Sequence, residues 1–107
     1  MRRYGQVIGL KPEAVARYDE LHAAVWPQVL ATIVRCNIRN YSIFRLGTTL
    51  FAYFEYVGTD FARDMAVMAD DVKTQEWWAL TAPLQVPCET RAPGHWWADM
   101  TEVFHAD

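Results

Sequence analysis

Residues 37–57 read NIRNYSIFRLGTTLFAYFEYV. Ile38, Tyr41, Ile43 and Phe44 favour an extended chain, and so do the aromatics of the run from Leu50 to Val57. Gly47-Thr48-Thr49 between the two runs is a short turn, so the stretch predicts an antiparallel hairpin. Helical periodicity lies on both sides of it. From Pro12 to about Arg35, Ala14, Val15, Tyr18, Leu21, His22 and Val25 share one broad face. Trp26-Pro27 interrupts that face, because proline removes a backbone donor and crowds the preceding turn. After the hairpin, Thr59 or Asp60 can cap a helix over 61–69, and Asp70-Asp71 a second short one through Trp77 and Trp78 to Leu80.

The outer segments complete the pattern. Residues 3–10 and 98–105 read as strands, and residues 81–95, with Pro83, Pro87, Pro93 and Gly94, as a loop. The order is β-α-β-β-α-β, an α+β fold of the ferredoxin-like kind with an antiparallel sheet. The 107 residues make one domain, 1–107. Helices on one side of such a sheet leave the other face bare, and apolar side chains there favour pairing with a second copy. The expected assembly is a homodimer.

The net charge is −3, and no lysine or arginine cluster is present, so a nucleic-acid partner is set aside. No run approaches about 20 apolar residues, so no membrane partner is expected. Residues 1–6 carry no apolar stretch of the secretory type, which predicts a cytoplasmic protein. Cys36 and Cys88 are far apart and form no metal-type pair; two buried, reduced thiols are expected. No histidine–carboxylate spacing suggests a metal, and no glycine-rich phosphate loop suggests a nucleotide. The expectation is an absence of cofactor and metal. His95 and His105 stand alone and read as solvated.

Five tryptophans are many for so short a chain. Flat rings with one polar handle suit a partly apolar, hydroxylated ligand. Trp77 and Trp78, adjacent on a helix, point in different directions; one can plug the core and the other must be exposed, at an interface or in a pocket. Trp96-Trp97 repeats the pattern at the start of a strand. Tyr18 and His22, four apart, are neighbours on a helix, and Trp26 continues their row. A tyrosine beside an imidazole pairs a donor with a group that titrates near neutrality. Plainer readings stand beside these: a satisfied histidine at a helix edge, and Tyr41 as a half-buried sheet tyrosine.

The motifs Tyr18-x-x-x-His22-x-x-x-Trp26-Pro27, Asn40-Tyr41-Ser42-Ile43, Gln75-x-Trp77-Trp78 and Met100-x-Glu102-Val103-Phe104 together resemble the L-rhamnose mutarotase family, over nearly the whole chain. The resemblance implies a dimeric ferredoxin-like fold, the dimeric α/β barrel type. It also implies cofactor-free interconversion of the α and β anomers of L-rhamnose. It makes His22 the proton donor and places Tyr18, Tyr41, Trp77 and Trp78 against the sugar. Gln28, where a glutamate often follows Trp-Pro, and Gly94-His95-Trp96-Trp97 depart from the pattern. They keep L-fucose open as the alternative sugar.

On this reading His22 gives a proton to the ring oxygen, and Tyr18 orients the sugar or the imidazole. Tyr41 holds a sugar hydroxyl, and Trp77 or Trp78 packs on the 6-methyl group. Water or Glu102 are the candidates for removing the anomeric proton. Two rivals remain at this point: a cofactor-free monooxygenase on the same kind of fold, and a non-catalytic binding module.

Overall fold

The computed structural model describes residues 1–107. Strand β1 (Arg2–Leu10) leads through a single 3-10 turn into helices α1 (Val15–His22) and α2 (Pro27–Arg35). Strands β2 (Ile38–Leu46) and β3 (Thr49–Tyr56) form the hairpin. Helices α3 (Phe61–Asp70) and α4 (Val72–Thr81) follow, then two short strands, β4 (Gln85–Val86) and β5 (Ala98–Met100). The sheet order is β2-β3-β1-β4, with β5 also on β1, and every pairing is antiparallel. This is the expected ferredoxin-like arrangement. No helix is long and apolar enough to cross a membrane.

Local chemistry places the breaks. Gly47 turns the hairpin at φ +59°, a conformation that penalises any side chain with a Cβ. Asp60 caps α3 by accepting from the Arg63 amide. Asp71 caps α4 by accepting from the backbone and hydroxyl of Thr74, both at 2.9 Å. Asp71 thus separates α3 from α4 where a single helix would otherwise run on.

Alternation divides the sheet into two faces. Ile8 and Leu10 of β1, with Leu50, Ala52, Phe54 and Tyr56 of β3, are buried. Tyr18 packs with Ile8, Leu10 and Leu50, while Phe61, Met65 and Met68 pack on Ile38, Phe54 and Tyr56. Both helix pairs therefore cover one face. The other face keeps Phe44 (66 % exposed), Leu46 (76 %), Phe51 and Met100 uncovered.

Two features depart from the expected pattern. The strand foreseen over 98–105 pairs only at 98–100; beyond Met100 the link to β1 passes to side chains, with Arg3 Nε donating to Glu102 Oε1 at 2.8 Å. In addition, β4 and β5 pair along the same edge of β1, at Gly9–Leu10 and Gly5–Val7. They act as one edge strand interrupted by the excursion 87–97. Gly9 permits the close pairing, since a Cβ there would stand 2.8 Å from the Val86 carbonyl oxygen. Of the two cysteines, both free, Cys36 is buried as expected but Cys88 is only half-buried.

Leu50 is fully buried at the centre of this core. Leu50→Ala should cost about 2–5 kcal/mol, read as a lower denaturant midpoint with an unchanged slope.

Candidate active site

His22 is the last residue of α1, and the helix stops there for a local reason. Pro27 forces Trp26 out of helical conformation, to φ −61° and ψ 135°. Trp26 then serves as the N-terminal flank of α2, with the proline at its first position. His22 is thus left on a terminal turn, beside a break in the helical backbone.

Aromatic rings enclose it. The Tyr18 ring stacks on the imidazole, centroids 4.0 Å apart and planes 21° from parallel. Trp77 of α4 meets both neighbours edge-on, with 5.3 Å to His22 and 5.3 Å to Trp26. Trp77 is buried, whereas Trp78, one residue on, is 42 % exposed. The adjacent pair thus divides into one indole in the core and one at the surface.

Tyr41 reaches the same region through a β-bulge. Asn40 and Tyr41 together lie opposite Phe54, where regular pairing allows one residue. Asn40 takes φ +52°, a region asparagine tolerates, and its side chain donates to Glu55 at 2.8 Å on the uncovered face. The extra residue turns Tyr41 to the helical face, 5.5 Å from the Phe54 ring.

A cleft of about 600 Å³ opens here. His22, Tyr41, Trp77 and Trp78 line it, with an apolar wall that includes Ile33 and Met68 and a polar rim from Arg39, Asn40 and Thr74. Tyr18 is not part of this lining. It lies behind the imidazole, 3 % exposed.

The electrostatics define the resting state. His22 Nδ1 lies 2.9 Å from the Tyr18 carbonyl oxygen. A carbonyl only accepts, so Nδ1 carries the proton and donates. In the neutral ring Nε2 then holds the free lone pair. Burial lowers the His22 pKa, opposed by the Tyr18 carbonyl and by Asp19. Burial also raises Tyr18, with Tyr41 adding to the effect and a hydrogen bond from the Gln85 side chain opposing it. Desolvation at its hydroxyl pushes Tyr41 up to about 12. The site therefore offers a neutral imidazole and two protonated phenols at neutral pH.

Other sequence candidates lie elsewhere. Glu102 is bound to Arg3 and lines a second cavity that shares no residue with the cleft. It is not placed to serve as the base for a ligand at His22. His95 sits 3.4 Å from Asp99, and His105 is 3.0 Å from Asp107; both are surface pairs. No group of three or more His, Cys, Asp or Glu residues is gathered as a metal cluster would be. Sequence reasoning missed Gln85, which is buried and accepts a hydrogen bond from the Trp96 indole. The one available signal was a polar residue between Leu84 and Val86.

The depressed His22 pKa has a direct readout. In a ¹H NMR titration the His22 ring protons should titrate below the ordinary histidine value of about 6.5.

Comparison with known proteins follows the same lines. The family model described as L-rhamnose mutarotase matches residues 3–106. An L-rhamnose mutarotase of Lactiplantibacillus plantarum is 34 % identical over 109 residues, covering 100 % of both chains. An L-fucose mutarotase of Xanthomonas campestris pv. campestris is 33 % identical over 110 residues, covering 97 % of this chain and 87 % of its own. Among solved structures, an L-rhamnose mutarotase from Formosa agariphila has the same fold, with TM-score 0.77, 22 % identity and 100 % of both chains covered. The tetracenomycin F2 cyclase of Streptomyces glaucescens shares the fold at TM-score 0.68 and 14 % identity, again over 100 % of both chains.

Proposed function

The chain belongs to the L-rhamnose mutarotase family, and from that premise we propose that it interconverts the α and β anomers of L-rhamnose by acid–base catalysis at His22. One observation carries the assignment: the imidazole lines an aromatic cleft with Nδ1 bonded to the Tyr18 carbonyl and Nε2 free.

Mutarotation opens the hemiacetal ring and closes it on the other face of the aldehyde. The anomeric hydroxyl loses a proton, its electrons form the carbonyl, and the bond to the ring oxygen breaks. The ring oxygen keeps that electron pair and gains a proton. Both oxygens sit on one carbon, so a single nitrogen can serve both. His22 rests neutral, which suits Nε2 to take the anomeric proton. The resulting imidazolium is disfavoured by burial and gives its proton to the ring oxygen. The proton received by the ring oxygen thus comes from His22, in the donor role the family resemblance implies. On this reading no second carboxylate is needed.

The neighbours have matching roles. Tyr18 stacks on the imidazole and holds its tautomer through its own carbonyl. Tyr41, protonated throughout the neutral range, offers a hydrogen bond to a sugar hydroxyl. Trp77 and Trp78 present indole surface, and the apolar wall at Ile33 and Met68 suits a 6-methyl group better than a 6-hydroxyl. L-Fucose carries the same methyl, and a relative named for it aligns over almost the whole chain. L-Fucose is therefore the second sugar to assay.

His22→Asn should slow anomer exchange by about 10²–10⁴-fold in a folded protein, measured by saturation-transfer NMR. Exchange at the wild-type rate would refute the role of His22. The wild-type rate should also fall as pH drops through the His22 pKa, because protonation removes the Nε2 lone pair. Sugar binding without exchange would mark a binding module, and consumption of dissolved oxygen a monooxygenase.

We further propose that the protein works in the cytoplasm as a homodimer. Two free cysteines support the first statement. The uncovered apolar sheet face, with Phe44, Leu46, Phe51 and Met100, supports the second. Phe44→Asp should shift sedimentation from dimer to monomer while the circular dichroism spectrum stays unchanged.

A further inference from the structure

Helix α1 has about two turns, and its last turn is lightly attached to the sheet. Val15 and Tyr18 pack with Ile8, Leu10 and Leu50, but no residue of α1 after Tyr18 is buried. A charged pair supplies the tie. Arg45 Nε donates to Asp19 Oδ1 at 3.0 Å, and Arg45 Nη2 donates to Asp19 Oδ2 at 2.7 Å. Such a two-pronged bond fixes orientation as well as distance. The third nitrogen, Nη1, donates to the Gly47 carbonyl at 3.0 Å, so the hairpin turn anchors the guanidinium.

The pair joins the two elements that carry His22 and Tyr41. Asp19 precedes His22 by three residues on α1, so their side chains are neighbours. Arg45 follows Tyr41 by four residues on β2. Past the bulge, Ile43 and Arg45 pair with Ala52 and Leu50, both buried, which puts Tyr41, Ile43 and Arg45 on the helical face. The bond to Arg45 also lowers the Asp19 pKa, so the carboxylate is ionised at neutral pH.

We propose that Asp19 and Arg45 are positioning residues for His22: their bond clamps the last turn of α1 to β2 and neutralises the carboxylate beside the imidazole. The clamp holds the proton-transferring nitrogen in register with Tyr41 across the cleft. The proposal rests on the mutarotase reading and deepens it, because neither residue lines the cleft.

Removing either partner breaks the clamp, yet the two changes alter the charge at His22 in opposite senses. Arg45→Gln leaves the Asp19 carboxylate uncompensated, which favours the imidazolium. Asp19→Asn removes that carboxylate and leaves the cation, which disfavours it. The other charges near His22 are common to all variants. Glu20 of α1 is bonded to Arg17, and Arg39 is the charged residue that β2 adds to the cleft lining. Tyr18 and Tyr41 keep their protons, and α2, α3 and α4 line the cleft with uncharged residues.

Anomer exchange of L-rhamnose, followed by saturation-transfer NMR across the pH range, tests the clamp. The plateau kcat at high pH should fall about 10-fold in both Arg45→Gln and Asp19→Asn. The double variant should fall no further, since the two residues act as one unit. The midpoint of the pH profile should move up by about 0.3–0.5 unit in Arg45→Gln and down by a similar amount in Asp19→Asn. Arg45→Lys keeps the charge without the fork, so its midpoint should stay near wild type while its plateau recovers in part. An exposed pair adds little to global stability, so all variants should fold, as their circular dichroism would show. A merely structural contribution would not move the two midpoints apart.

The inference is overturned if both single variants keep the wild-type plateau, or if their midpoints move in the same direction or not at all. A wild-type protein that does not accelerate anomer exchange would instead refute the mutarotase reading. The His22 ring protons, titrated by ¹H NMR in the same variants, should then still show the opposite shifts if the pair acts on the imidazole.

Discussion

A proline that cannot continue a helix governs the arrangement around His22. Pro27 has no amide hydrogen, and it forces Trp26 into an extended conformation. Helix α1 must therefore finish before it. That ending puts His22 on a final turn, where the imidazole can reach back to the Tyr18 carbonyl and still present its other nitrogen to the cleft. The same break leaves His22 and Trp26 separate enough for Trp77 to meet both edge-on. A continuous helix from Val15 to Arg35 would carry His22 mid-helix and could not supply this geometry.

Burial then selects the chemistry. An imidazole in water is nearly as often charged as neutral close to its ordinary pKa. Here the surrounding rings disfavour the cation, so the lone pair is available at neutral pH. The two phenols experience the opposite consequence of the same desolvation and keep their protons. One low-polarity environment thus yields an acceptor and donors together.

The element order could be read from the chain because each break has a local cause: Gly47 at the hairpin turn, Pro27 between helices, and Asp60 and Asp71 as caps. The Tyr18–His22 contact was legible for a similar reason, since residues four apart in a helix must adjoin. Tyr41 was identifiable as a residue but not as a direction. Simple alternation from Ile38 would send it to the uncovered face, and only the unpaired residue at Asn40 reverses it. The split of Trp77 from Trp78 could be expected, but which indole is buried depends on tertiary packing. Gln85 escaped notice because its partner, the Trp96 indole, lies 11 residues later across the 87–97 excursion, and no local pattern encodes that meeting. The final strand was read too long because its apolar residues Val103 and Phe104 suit a strand, yet they are almost fully exposed.

The interrupted edge strand carries a consequence for how such proteins diversify. Both ends of the 87–97 excursion are stapled to β1 by backbone pairing, so the sheet tolerates exchange of everything between them. Adding residues to a loop already closed costs little extra entropy. Descendants can therefore trade one segment for another at this graft point while the proton-transfer machinery on α1 stays intact.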